Sequence, residues 1–146
     1  MKIQLQDLYH GAALMQVVED PNFKALNKAS DGKYGHYVLN SDTRLFVKYT
    51  TGSGPEFKFN LSPDDLDSIR ADEDKGHAVF LVLVCGEESI CPVPASELWN
   101  VVDRTTTAPK QVWVTWPNGG SMRFGCGSHE MTKTIPHNSF PKQVLS

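Results

Sequence analysis

The stretch Ala78-Val79-Phe80-Leu81-Val82-Leu83-Val84 is apolar without a break. A strand with one wet face alternates apolar and polar residues, so an unbroken run predicts a central strand covered on both faces. Such a strand needs layers on either side of its sheet. The fold class expected is therefore α/β (α+β), a mixed central sheet flanked by helices. Extended to Cys85, the run is still far short of the ~20 residues that span a bilayer, and no membrane partner is expected.

The pattern on either side supplies those layers. Near the start, Asp7 is expected to cap a helix that carries Leu8, Ala12, Met15 and Val17 or Val18 along one apolar stripe. Gly11 inside it costs helix stability, which points to close packing against a neighbour. Pro21 suits a break or the first turn of a second helix with Phe23 and Leu26 inward, and Asn27 to Gly35 is a polar loop turning at Asp31-Gly32. Tyr37-Val38-Leu39 and Arg44 to Thr50 form a hairpin around Asn40-Ser41-Asp42-Thr43. After a mobile loop, Thr51 to Pro55, the segment Glu56 to Leu61 alternates like a half-buried strand. Ser62-Pro63-Asp64-Asp65 opens a surface helix, with Ser62 as cap, Pro63 at the first position and Asp65 completing a capping box.

Beyond the central strand, Pro92 confines Ile90 to Pro94 to a sheet edge. Ser96 is expected to cap a helix over Glu97 to Val102, and a threonine-rich linker follows. Gln111 to Trp116 and Ser121 to Gly125 flank the turn Pro117-Asn118-Gly119-Gly120, a second hairpin. Ile135, Phe140 and Leu145 are available to dock an extended tail. One domain is expected over residues 1–146, with a core at 7–102 and a hairpin and tail at 111–146; this length buries roughly two thirds of the unfolded surface.

A net charge of −3 opposes non-specific nucleic-acid binding, which depends on neutralising phosphates. The acidic run from Asp64 to Asp74 would repel a phosphate backbone. No apolar segment follows Lys2 as in a secretory signal, so a cytoplasmic address is expected. Cys85, Cys91 and Cys126 make an odd count that fits a reducing compartment. With His129 they form a candidate zinc set, although Cys85 and Cys91 are spaced more widely than the usual ligand pairs. The simpler reading is a set of buried or free thiols. Cys85 beside His77 or His129 is a candidate nucleophile, set against a small buried hydrophobe.

The order helix, hairpin ending in Lys48, helix, buried strand, edge strand, helix resembles the PD-(D/E)XK nuclease-like fold over residues 7–102. In that family an acid on the first hairpin strand and another two residues before the lysine hold Mg²⁺, and the lysine orients water or stabilises charge. Alternate residues serve because i and i+2 share one face of a strand. Here Lys48 matches the lysine. Phe46 stands two residues before it, His36 or Tyr37 at the first-strand position, and Ala13 or Leu14 where the first helix often carries an acid. The resemblance thus implies the fold without the family's acids.

The expected function is a non-catalytic binding module whose partner is a protein rather than nucleic acid, with no cofactor. Fold analogy associates such modules with DNA processing, mobile elements or phage–host conflict. Trp113, Trp116, Arg123 and Phe124 are the candidate interaction residues, since Trp and Arg dominate binding hot spots. A first alternative is an Mg²⁺-dependent nuclease with a migrated site using Lys48, Asp42 and His36 or Glu56. A second is a homo-oligomeric structural domain. Against these stand plainer readings: an edge lysine that blocks pairing, a turn-forming Asp42, an isolated loop histidine.

Overall fold

A computed structural model describes residues 1–54 and 56–145. The fold is mixed α+β, and the described residues form two sheets. Helix α1 (Leu5–Val18) is followed by β1 (Leu26–Lys28), β2 (His36–Leu39), β3 (Thr43–Thr50) and β4 (Phe57–Leu61). Then come α2 (Pro63–Asp74), β5 (Val79–Cys85), β6 (Ser89–Pro94) and α3 (Ala95–Leu98). The last third holds β7 (Lys110–Thr115), β8 (Arg123–Cys126), β9 (His129–Glu130) and α4 (Lys142–Leu145).

The first sheet has the order β1-β2-β3-β5-β6, with only β3 and β5 parallel. β5 is its continuous apolar strand, and β6, with Pro92, lies at the edge. The second sheet, antiparallel throughout, runs β4-β7-β8-β9. β4 leaves the first sheet altogether and pairs with β7, Phe59 opposite Val112. The hairpin at 111–125 is thus joined to the 7–102 segment by a strand ladder.

Alternation on β5 sorts its side chains into two cores. Leu81, Leu83 and Cys85 point at the second sheet and pack with Phe46, Phe57, Phe59, Val114 and Phe124, with Leu66 and Ile69 of α2 sealing the side. Val82 and Val84 point the other way, to Ala13 and Val17 of α1 and to Phe140 and Val144. Two glycines permit the close crossings. Gly86 ends β5 at φ 54°, where a Cβ would lie 2.7 Å from the Gly52 carbonyl. Gly35, at φ 85°, brings its backbone against β3, where the Val47 amide donates to its carbonyl at 2.8 Å.

Several local expectations change. α1 begins earlier than expected, capped by Gln4, with Asp7 accepting the Gln4 amide. No helix follows Pro21; Asn40 accepts the Lys24 and Ala25 amides and turns that segment into β1, which the polar residues Asn27 and Lys28 had disguised. α3 is a single turn after Pro94, not a helix to Val102. The expected 51–55 loop ends on Pro55, and the expected tail on Ser146; both residues lie outside the described residues. The tail does dock, Ile135 bridging to Met122 and Phe140 entering the outer core. The largest change concerns α1. Its stripe of Leu8, Ala12, Met15 and Val18 faces solvent, while His10, Ala13 and Val17 face the sheet.

Candidate functional site

Lys48 sits near the end of β3, on the same strand face as Phe46 and therefore on the side of α2. Its ammonium lies 2.7 Å from Asp65 Oδ2. Asp65 is in the first turn of α2, where its backbone amide donates to Ser62 Oγ at 3.0 Å and its Oδ2 accepts the Ser62 amide at 2.9 Å. One carboxylate oxygen thus receives both a cap hydrogen bond and the lysine. Burial works against ionisation of Asp65, but Lys48 and the Ser62 donors outweigh it and hold the carboxyl below the usual range. Beside the pair opens a cleft of about 610 Å³, also lined by Asn60, Pro63, Lys110 and Gln111.

The other residues of the migrated-site alternative are held elsewhere. Asp42 precedes β3, six residues from Lys48, which along a strand is roughly 20 Å. It accepts from His77 Nδ1 at 2.6 Å, and His77 Nε2 lies 3.0 Å from the Arg44 guanidinium. Arginine only donates, so Nε2 is the acceptor and Nδ1 carries the hydrogen shared with Asp42. His36 is buried against Phe46, ring centres 4.1 Å apart, and its Nδ1 contacts Asp31 Oδ2 at 2.9 Å. That contact, with the Lys33 amide on the other oxygen, fastens the 31–33 turn. Glu56 belongs to a different depression with Lys58 and Trp113. Phe46, two residues before Lys48, is 2% exposed and part of the core.

The thiol set is likewise dispersed. Cys85 and Cys91 lie in the core between the sheets, where burial pushes the Cys85 thiol up to about 12 and Cys91 well above its usual value. Cys126 pairs in register with His129 on the second sheet, its thiol near the Gln111 carbonyl. Among the described residues, no three His, Cys, Asp or Glu side chains converge as a metal site.

The interaction residues divide by burial. Phe124 is fully buried, because β8 turns it toward the first sheet, and so offers no surface. Trp116 stacks on Phe57 at 5.4 Å and takes the His137 ring edge-on at 4.7 Å. Trp113 and Arg123 remain on the outer face of the second sheet. Trp113 covers Gly125 and donates to the Gly127 carbonyl at 3.1 Å, while Arg123 is exposed opposite Thr115.

Two features escaped the sequence reading. Asp65 was visible as a capping residue, but its union with Lys48 depends on the crossover that lays α2 beside β3. His10, 5% exposed, packs on Tyr34 and Tyr49, and its Nδ1 has no partner among the described residues. No protein family matches this chain, and neither does any curated protein or any solved structure.

Proposed function

We propose that this chain is a non-catalytic module on a nuclease-like core, acting by binding a partner protein and needing no cofactor. One observation carries the reading: the residues in the family's catalytic positions are committed to the fold. Lys48 clamps the first turn of α2 through Asp65, and Phe46 fills the core between the sheets. A water-orienting lysine needs a metal-bound water beside it, and the carboxylate that meets Lys48, that of Asp65, is already engaged in a helix cap. The outer face of the second sheet, with Trp113 and Arg123, has the residue types that anchor protein contacts. A setting in DNA processing, mobile elements or phage–host conflict follows from fold analogy alone.

The test is a cleavage assay with Mg²⁺ and Mn²⁺ on single-stranded and duplex DNA and RNA, wild type beside Lys48→Ala. No cleavage by either protein is the expected outcome. Metal-dependent cleavage that disappears in Lys48→Ala would overturn the reading and make Asp65 the first acid to replace.

A further inference from the structure

The solvent face of α1 is too apolar for a helix that has already met its sheet. Leu5, Leu8, Met15 and Val18 are 50%, 59%, 56% and 42% exposed. At 100° per residue they occupy, with Gly11 and Ala12, an arc of roughly 140° opposite His10, Ala13 and Val17. Among the described residues, nothing lies within 4 Å of the position a Cβ would take on Gly11. The neighbour that a mid-helix glycine invites is therefore not found among the described residues.

This stripe reads the same from either end. Leu5 is as far from its midpoint as Val18, Leu8 as far as Met15, and Gly11 as far as Ala12. An antiparallel partner with the same sequence would set Leu8 against Met15 and Leu5 against Val18, with the two smallest residues where the helices cross. A contact about a two-fold axis requires this self-complementarity. Charge agrees. Lys2 lies before the helix and Glu19 and Asp20 follow it, and none of the three is in an ion pair among the described residues. Antiparallel pairing brings Lys2 of one copy toward Glu19 and Asp20 of the other, twice, whereas parallel pairing sets Asp7 beside Asp7 and Glu19 beside Glu19.

We infer that α1 is a homodimerisation helix, packing antiparallel on α1 of a second copy about a two-fold axis at Gly11–Ala12. This names one partner for the protein-binding reading above and rests on it; a monomer would sink the inference and leave the cleavage result untouched.

Sedimentation velocity of the full chain over a rising concentration series tests it, with Leu8→Lys, Met15→Glu and an equimolar mixture of the two variants. Both substitutions are on exposed positions, and circular dichroism of each variant checks that the fold is kept. The wild type is expected to move from 16.2 kDa toward twice that mass. Each variant alone should stay monomeric, and the mixture should recover the dimer, because one new lysine then faces one new glutamate. A wild type that stays monomeric, including one that binds only some other protein, overturns the inference. So does a dimer indifferent to both substitutions, or a mixture that fails to reassociate.

Discussion

The two faces of the five-stranded sheet are covered to different degrees. On one face, β5 meets a second sheet and two helices, and even the charged Lys48 is engaged, its ammonium on Asp65 of α2. On the other face the cover is α1 and a short stretch of tail, and α1 is apolar on the side turned away as well. The closed face has its polar groups drawn into caps and ties. The thinly covered face keeps apolar surface in reserve. Lys48 and Phe46 thus serve the fold, while the apolar surface the fold does not use lies on the helix opposite.

The contrast can be broken most forcefully in the closed core. Leu83→Ala, at a fully buried position between the sheets, is expected to cost about 2–5 kcal/mol in urea unfolding. Leu8→Ala, on the outer side of α1, is expected to stay within about 0.5 kcal/mol at concentrations where the protein is monomeric. Equal losses at the two positions would remove the distinction.

Acid sharpens the comparison, because each face holds a group whose titration opposes folding. His10 is held below its ordinary value near 6.5 by burial first and then by the Lys48 charge, with Asp7 pulling the other way. The unfolded chain takes up that proton more readily, so the His10 contribution is present above pH 6.5 and is lost as pH drops below it. Asp65 is shifted down as well, so its contribution is present above the unfolded carboxyl value of about 3.9 and is lost only as pH falls through the folded value. Thermal unfolding from pH 7.5 to pH 3 should show the α1 side weakening first. His10→Phe, which cannot take a proton, should flatten the upper limb alone; an unchanged upper limb would discard His10 as its source.

Much of this architecture was legible because it is written locally. The unbroken apolar run gives β5, the Ser62–Asp65 box gives the start of α2, and the Asn-Gly-Gly turn gives the β7–β8 hairpin. What was not legible depends on partners far along the chain. β4 alternates correctly, yet alternation does not say which sheet it joins, and its partner β7 lies some fifty residues away. α1 was ambiguous for a different reason: Ala13 and Val17 form one apolar stripe and Leu8 and Met15 another, so periodicity marked a helix but not its buried side. The candidate site was legible in part. Lys48 was visible at the end of its strand, but the Asp65 that holds it sat in another element with an apparent role of its own.

The smallest effect expected is also the most direct test of whether Lys48 belongs to the fold. The Lys48 side chain is about one-third exposed, so solvent screening limits the ion pair with Asp65 to about 0.5 kcal/mol. A double-mutant cycle of Lys48→Met and Asp65→Asn, followed by urea unfolding at pH 7 and low salt, isolates that coupling. A favourable coupling near that size, shrinking as salt is added, is the expected result. Zero coupling with both single variants fully stable would mean that Lys48 is not a structural tie, contradicting the central claim and leaving the lysine free for chemistry.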